Sequence, residues 1–525
     1  MAKKKKKAKG SPTFKEQVAA ASQSSAKKDI NQLDTPSFRV FTGLVVLIVM
    51  VGLLAGNDYT SIWSGAEAAQ LWQALSDAPS SWLGRFLHAV YDDGPLNVFY
   101  LRFFGIFFFL ICLVPVFFIG KRLFGKNTIW LALLLLVVSL LVPNIAKRAT
   151  IDIYLFGSQL LFGMNCLLLL KSPHWAWRAL WLVSWWTAFV FDPLGSLLFA
   201  VPFLVVLWRS HPEAGILRDW RLLVPALAGL GLIALLQPNH WLDQGIALAW
   251  LRSGYGKYLF WQLIAILPFI GFVSGGIRDL FYKVKRGEEF SILLTAWILA
   301  ALLSQSITLS WALALLAAKH MQLYFNPKYP FYSWVRGPAI LHLIAVFFIL
   351  AMSMVYSFFT FLGLGFRSLL MVSGLYWGMS LLGVIGLYGY NHRLLIGGPI
   401  LAGALVTALF WYQAGPLLES KRDWNEAIVE MAREKQSDNR PEPLLLYHPA
   451  NSAFPAMAVY GLDKMDHVRL LSSEAGLKTA IEQKEGIAVL PVILSEQLNI
   501  PATTDTLSGW SDQLETIKLQ IVSSQ

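Results

Sequence analysis

Apolar residues in this 525-residue chain fall into long runs joined by short polar links. Thirteen runs can be marked: Val40–Ala55, Leu96–Ile119, Ile129–Val142, Ile153–Leu170, Ala176–Phe191, Leu194–Trp208, Leu222–Leu236, Tyr258–Val273, Ile292–Leu303, Thr308–Ala318, Ala339–Leu362, Leu369–Tyr388 and Leu394–Trp411. About 20 apolar residues are needed for a helix to cross the hydrocarbon layer of a bilayer, so the pattern predicts an all-α polytopic membrane protein with about 13 transmembrane helices. Two of the runs are short, and Ser304-Gln305-Ser306 between them reads as a break separating half-length helices. Ahead of the runs, residues 1–38 are polar and open with Lys3 to Lys7 and Lys9. They read as a disordered cytoplasmic tail resting on anionic lipid: the charges lie too far from the first apolar run for a secretory signal, and no small-residue cleavage site follows.

After Gln413 the periodicity changes. Ser420–Gln436 has the charge pattern of a helix. Leu444–Tyr447, His467–Leu471 and Gly486–Val492 are apolar stretches of strand length, with helical character at Leu477–Gln483. Residues 414–525 are therefore expected to form a small α/β domain outside the membrane, following a transmembrane domain over residues 39–413.

Composition supports the membrane reading. Hydrophobic types make up 56% of the chain, charged types 14%, and mean hydropathy is +0.53; a soluble domain carries roughly 25% charged residues. The net charge of +11 hides an asymmetry, because the chain from Gly415 onward holds 10 Lys/Arg against 16 Asp/Glu. The basic excess lies in the tail and in short links such as Lys121–Lys126, Arg209–Arg221 and Arg278–Arg286. Membrane topology explains that placement better than nucleic acid does. With the tail cytoplasmic, these links face inward, and an odd number of spans puts the C-terminus outside. Cys112 and Cys166 sit inside apolar runs and provide neither a disulfide framework nor a metal-ligand spacing.

The first outer link, residues 56–95, is the longest. Ala66–Leu75 and Trp82–Tyr91 have amphipathic spacing edged by Trp and are expected to lie along the membrane surface. Four carboxylates follow that placement: Asp58, Glu67, Asp92 and Asp93. Asp58, in Gly56-Asn57-Asp58-Tyr59, stands where the first span ends. An acid at that depth is costly, which points to chemistry, although capping of the next helix would also place an Asp there. A second cluster is Lys147-Arg148-Ala149-Thr150-Ile151-Asp152, in which Asp152 either complements a helix dipole or holds Lys147 or Arg148 toward an anion. A third is Arg252-Ser253-Gly254-Tyr255-Gly256-Lys257-Tyr258. Arg252, Lys257 and Tyr255 suit a phosphate whose lipid tail lies in the bilayer, and interfacial snorkelling suits them equally. His240 in the preceding link is a further candidate for substrate contact.

These stretches resemble the GT-C glycosyltransferases, in particular the bacterial branch of aminoarabinose transferases and protein O-mannosyltransferase-like enzymes. The likeness rests on Gly56–Trp63, on Arg102-Phe103-Phe104-Gly105 leading to Gly120–Gly125, on Lys147–Asp152, and on Phe191-Asp192-Pro193-Leu194-Gly195. It covers roughly the first 320 residues. The family shows an Asp-Glu pair in the first loop, where Tyr59 follows Asp58 here. It often has a Lys and a Tyr in a later span, and Ser304–Ala318 has neither.

The resemblance implies transfer of a sugar from a polyprenyl-phosphate donor to an acceptor hydroxyl, on a lipid, glycan or protein, at the periplasmic face of a bacterial inner membrane. It implies Asp58 as the catalytic residue and Asp152 as the second acidic site. Lys147, Arg148, Arg252, Tyr255 and Lys257 are candidates for the donor phosphate, and Glu67, Asp92, Asp93 and His240 for the substrate. No cofactor and no metal are indicated. Two other classes stay open: a flippase or transporter of a lipid-linked saccharide, and a non-catalytic membrane scaffold. Ion-coupled transporters place ionisable groups at mid-bilayer, whereas the acids here collect at the outer ends of the runs.

Overall fold

The computed structural model describes residues 35–55, 85, 98–148, 150–172, 174–210, 219–236, 254–326, 328–360, 364–419, 444–447, 468–471, 473–483, 486–498, 506–510 and 516–522. Each of the thirteen apolar runs falls on helix over most of its described residues. The helices are α1 (Pro36–Leu54), α2 (Val98–Phe124), α3 (Lys126–Val137), α4 (Val142–Ala146), α5 (Ile151–Lys171), α6 (Trp175–Phe191), α7 (Pro193–Ser210), α8 (Trp220–Leu236), α9 (Tyr255–Ile266), α10 (Ile270–Lys285), α11 (Glu289–Leu303), α12 (Leu309–Leu323), α13 (Tyr332–Thr360), α14 (Leu364–Tyr388) and α15 (His392–Glu419). Among the described residues, seven segments are long and apolar enough to cross a membrane unaided. One of them, Tyr255–Lys285, is α9 and α10 joined by a 3-10 turn at Leu267–Phe269, where Pro268 has no N–H to offer the ladder. The break anticipated at Ser304–Ser306 is present, leaving α11 and α12 at 15 residues each.

Helix ends follow local chemistry. Thr35 caps α1 by accepting the Phe38 N–H at 3.4 Å, with Pro36 at the first helical position, so α1 begins three residues ahead of the boundary read at 39. Gly125 adopts φ +85° between α2 and α3, a conformation open to glycine, and this lets α3 fold straight back. Asp219 caps α8: its carboxylate accepts the Arg221 N–H at 3.1 Å and an Arg178 N–H at 2.9 Å. The Arg221 amide bond is the main reason its carboxyl is held below the usual range, with Arg178 adding to it.

Packing centres on α5. Of its membrane-length window, 89% is buried, against 17–56% for the other six, so α5 is the axis and the others form the shell. Close approach relies on glycine, since lipid offers no hydrophobic drive between helices. A Cβ on Gly157 would meet Cys112 and Phe108 of α2 at 2.8 Å, and one on Gly163 would meet the Trp297 ring of α11 at 2.5 Å. A Cβ on Gly52 would strike the Ala408 backbone at 2.6 Å, which brings the first helix against α15. Gly398 of α15 and Gly383 of α14 face each other backbone to backbone.

The C-terminal residues form a five-stranded mixed sheet, order β2-β1-β3-β5-β4, from β1 (Leu444–Tyr447), β2 (Val468–Leu471), β3 (Ile487–Pro491), β4 (Thr506–Trp510) and β5 (Thr516–Val522). β1 pairs in parallel with β2 and β3; β5 runs antiparallel to both β3 and β4. Strand alternation gives the sheet two apolar faces. Leu445, Ala488, Leu490 and Val522 pack with Leu477 and Ala480 of α16 (Glu474–Glu482) and Leu494 of α17 (Val492–Gln497). Leu444, Val489 and Leu519 face the other way and belong to the same buried cluster as the membrane helices.

The Gly398 contact gives a stability test. Gly398→Ala places a Cβ at 2.5 Å from the Gly383 backbone, and Gly378→Ala on α14 meets nothing within 4 Å. Thermal unfolding in detergent is expected to show the first destabilised by about 1–3 kcal/mol and the second unchanged or slightly stabilised.

Candidate functional site

The site is built around the exposed ends of α1 and α5. α1 stops at Leu54, and its last carbonyls lack intrahelical partners. Lys147, which follows α4, brings a buried ammonium to that end: its Nζ donates to the Gly52 carbonyl at 2.9 Å and to the Ala55 carbonyl. A cation at a helix C-terminus meets both the orphan carbonyls and the negative pole of the helix. Lys147 therefore fixes the point at which the chain leaves α1 for Asp58.

α5 starts just beyond, with Thr150 at its N-cap. The Thr150 hydroxyl does not turn to a backbone amide; it donates to Asp152 Oδ2 at 3.1 Å. Asp152 is exposed, although the next residue, Ile153, and most of α5 below it are buried. Its carboxylate lies within electrostatic reach of Arg148 and of Asp192. Thr150 holds the carboxylate and Lys147 is engaged on α1, while Arg148 stays within electrostatic reach of Asp152. Arg148 Nε is buried and has no hydrogen-bond partner among the described residues. Across from this turn, Gly105 of α2 lies so close that a Cβ there would meet the Ala146 carbonyl at 3.1 Å and the Arg148 carbonyl at 3.5 Å. One turn earlier on α2, Arg102 is buried. Asp192 has a structural duty: it caps α7 through the Gly195 N–H at 2.9 Å, ahead of Pro193 at the first helical position.

A polar network that motif reading passed over lies below Asp152. Gln159 is two turns along α5, about 10 Å deeper on the same face, and is buried. Its Oε1 accepts the Ser306 hydroxyl at the α11–α12 break. Ser306 Oγ in turn lies 2.8 Å from the Thr308 hydroxyl and accepts the Thr308 N–H at 3.1 Å. α9 closes the network. Tyr258 points its hydroxyl at the Ser306 carbonyl (2.9 Å) and the Ala301 carbonyl (3.1 Å), while Gln262, one turn on, accepts the Ser310 hydroxyl at 2.8 Å. Tyr255 stands beside Tyr258, ring centres 5.9 Å apart. The signal available in the sequence was the spacing of hydroxyls at Ser304, Ser306, Thr308 and Ser310 and a lone Gln in an apolar run.

The described candidates thus form two groups joined by this network. Lys147, Arg148 and Asp152 sit at the head of α5; Tyr255, half-buried, and Lys257, exposed, sit at the head of α9. Asp58, Glu67, Asp92, Asp93, His240 and Arg252 lie outside the described residues.

No family model and no curated protein matches this chain. Solved structures do. A crystal structure of ArnT from Cupriavidus metallidurans bound to undecaprenyl phosphate superposes with a TM-score of 0.61 at 14% identity, covering 92% of this chain and 98% of that one. The apo structure of the same protein gives a TM-score of 0.61, also at 14% identity, over 93% and 99%. At that identity the likeness speaks to architecture, and it extends over nearly the whole of both chains. The protein is a polytopic helical membrane protein with the GT-C fold of these ArnT structures.

Proposed function

We propose that the chain is a membrane glycosyltransferase that moves a sugar from a polyprenyl-phosphate donor to an acceptor hydroxyl, with inversion, at the periplasmic face of a bacterial inner membrane. The observation that carries the reading is the Thr150-held Asp152 carboxylate within electrostatic reach of Arg148, whose buried Nε has no partner among the described residues, at the head of the central helix of a GT-C fold. The undecaprenyl phosphate held by the ArnT structure supports the donor class. In this reading residues 1–38 are the cytoplasmic tail, residues 39–413 the transmembrane part, and residues 414–525 lie in the periplasm with the C-terminus.

The chemistry is a single displacement. The acceptor oxygen bonds to the anomeric carbon as the bond from that carbon to the donor phosphate oxygen breaks, and the hydroxyl proton passes to a carboxylate. Asp58 is the assigned base. It follows Ala55 by three residues, and three residues span at most about 11 Å, so the Lys147 clamp on Ala55 keeps the base close to the head of α5. General base catalysis is worth about 10²–10⁴ in rate. The leaving polyprenyl phosphate carries its charge away, and Arg148 on one side with Lys257 and Tyr255 on the other are assigned to hold it. Asp152, fixed by Thr150, is assigned to the acceptor.

The test is transfer from a labelled polyprenyl-phosphate sugar in membranes carrying variants. Asp58→Asn is expected to lower kcat by about 10²–10⁴, and Asp152→Asn by a smaller factor; full transfer by correctly folded Asp58→Asn protein rejects its role as base. A second comparison separates structure from binding. Lys147→Met is expected to lower stability by about 1–3 kcal/mol, since it removes charge-assisted bonds at the end of α1. Arg148→Gln is expected to leave the melting temperature nearly unchanged and to raise KM for the donor.

A further inference from the structure

The last two turns of α10 and the three residues after it carry a set of charges that the proposed reaction does not use. Four cations, Arg278, Lys283, Lys285 and Arg286, share this stretch with two acids, Asp279 and Glu288. Both acids turn to one cation: Lys283 Nζ lies 2.6 Å from Asp279 and 3.9 Å from Glu288. Asp279 also receives His320 at 3.3 Å. Among the described residues, no carboxylate pairs with Arg278, Lys285 or Arg286.

Arg278 is nonetheless held rigidly. Its guanidinium lies 4.8 Å from the Tyr282 ring centre and 5.0 Å from that of Trp334 on α13, and Nη2 donates to the Tyr282 hydroxyl at 2.8 Å. A clamped planar guanidinium keeps further N–H donors aimed at one place and loses little freedom when an anion arrives. Lys285 lies seven residues on, on the same helix face, its ammonium 4.4 Å from the Phe281 ring centre. The intervening surface is apolar and open: Ile277, Phe281, Tyr282, Trp334 and Leu341 are all exposed. α10 and α13 pack against each other, so these side chains border one groove.

Tyr255 and Lys285 are at opposite ends of one membrane-length segment. The Tyr255 end is tied through Tyr258 and Ser306 to Gln159 beneath Asp152, so the Arg278–Lys285 groove opens toward the other leaflet. We infer that this groove between α10 and α13 binds an anionic phospholipid of the leaflet opposite Asp152, with the headgroup phosphate on Arg278 and Lys285 and the acyl chains along Ile277 and Leu341. Charge complementarity picks the headgroup. The continuity of the cations with lipid-facing apolar surface picks a lipid over a soluble anion.

Native mass spectrometry of the full-length protein in detergent, titrated with phosphatidylglycerol or phosphatidylcholine, provides the test. Wild-type protein is expected to retain phosphatidylglycerol preferentially. Each cation removed is expected to weaken that retention about fivefold, so Arg278→Gln with Lys285→Gln loses the preference while binding of phosphatidylcholine stays the same. Lys285→Gln alone, at an exposed helix end, serves if the double variant does not fold, and Arg278→Lys is expected to recover only part of the affinity because ammonium cannot stack between the two rings. Equal retention of the two lipids by wild-type protein, or an undiminished preference in the folded variants, overturns the inference. Displacement of the lipid by millimolar inorganic phosphate, or preferential uptake of undecaprenyl phosphate by the groove, overturns it as well.

Discussion

Hydrocarbon offers no hydrogen bonds, so every place where a membrane helix stops or breaks has to be completed by the protein itself. This constraint arranges the site. α1 ends with carbonyls that Lys147 closes; the gap between α11 and α12 is closed by Gln159, Tyr258 and the hydroxyls of Ser306 and Thr308. Because Gln159 comes from α5, Tyr258 from α9 and Lys147 from the turn between α4 and α5, the completion of each break also fixes the spacing between helices. The charged group at the head of α5 and the aromatic group at the head of α9 are held in register by bonds whose first task is to satisfy backbone and hydroxyl groups in a dry interior.

The opposite end of the bundle follows the same rule with different chemistry. Arg336 is surrounded by the rings of Tyr332, Tyr388 and Tyr390, and its Nε donates to the Tyr324 hydroxyl at 2.8 Å. The Tyr324 hydroxyl in turn donates to the Leu387 carbonyl at 3.0 Å, near the end of α14. His320 lies between Asp279 and the Tyr329 hydroxyl, 2.8 Å from the latter. Charges that cannot be left bare near lipid are stacked or paired, and the turn from α12 to α13 is pinned as a result.

Helix positions were legible because a lipid-facing or fully buried helix needs only a long apolar run. Breaks inside a run were less so. The run Ile129–Val142 shows no polar residue before Ser139, yet α3 ends at Val137, since Pro143 cannot donate to the Ser139 carbonyl and the chain restarts as α4. In the sheet, the two parallel partners of β1 stand out as apolar stretches, whereas β4 and β5 do not: Lys518 and Gln520 interrupt β5, and its Ile517-Leu519-Ile521 alternation is the only mark of a strand. The cluster Lys147–Asp152 could be found as a cluster, but not its division of labour. The contact that ties Lys147 to the end of α1 reaches back 95 residues to Gly52, and the bond from Gln159 to Ser306 spans 147. Side chains that serve partners so distant leave no local pattern.

The meeting of α1 with α15 carries a consequence for biogenesis. Gly52 is shaped to receive the backbone of Ala408, which leaves the ribosome roughly 20–70 s later at about 5–20 residues per second. For that interval the first helix to enter the bilayer must persist without its final neighbour, solvated by acyl chains or sheltered by the insertion machinery. The apolar surface of α1 beyond Arg39 suits it to wait, and closure of the bundle becomes a late event of assembly that begins only when the last membrane helix arrives.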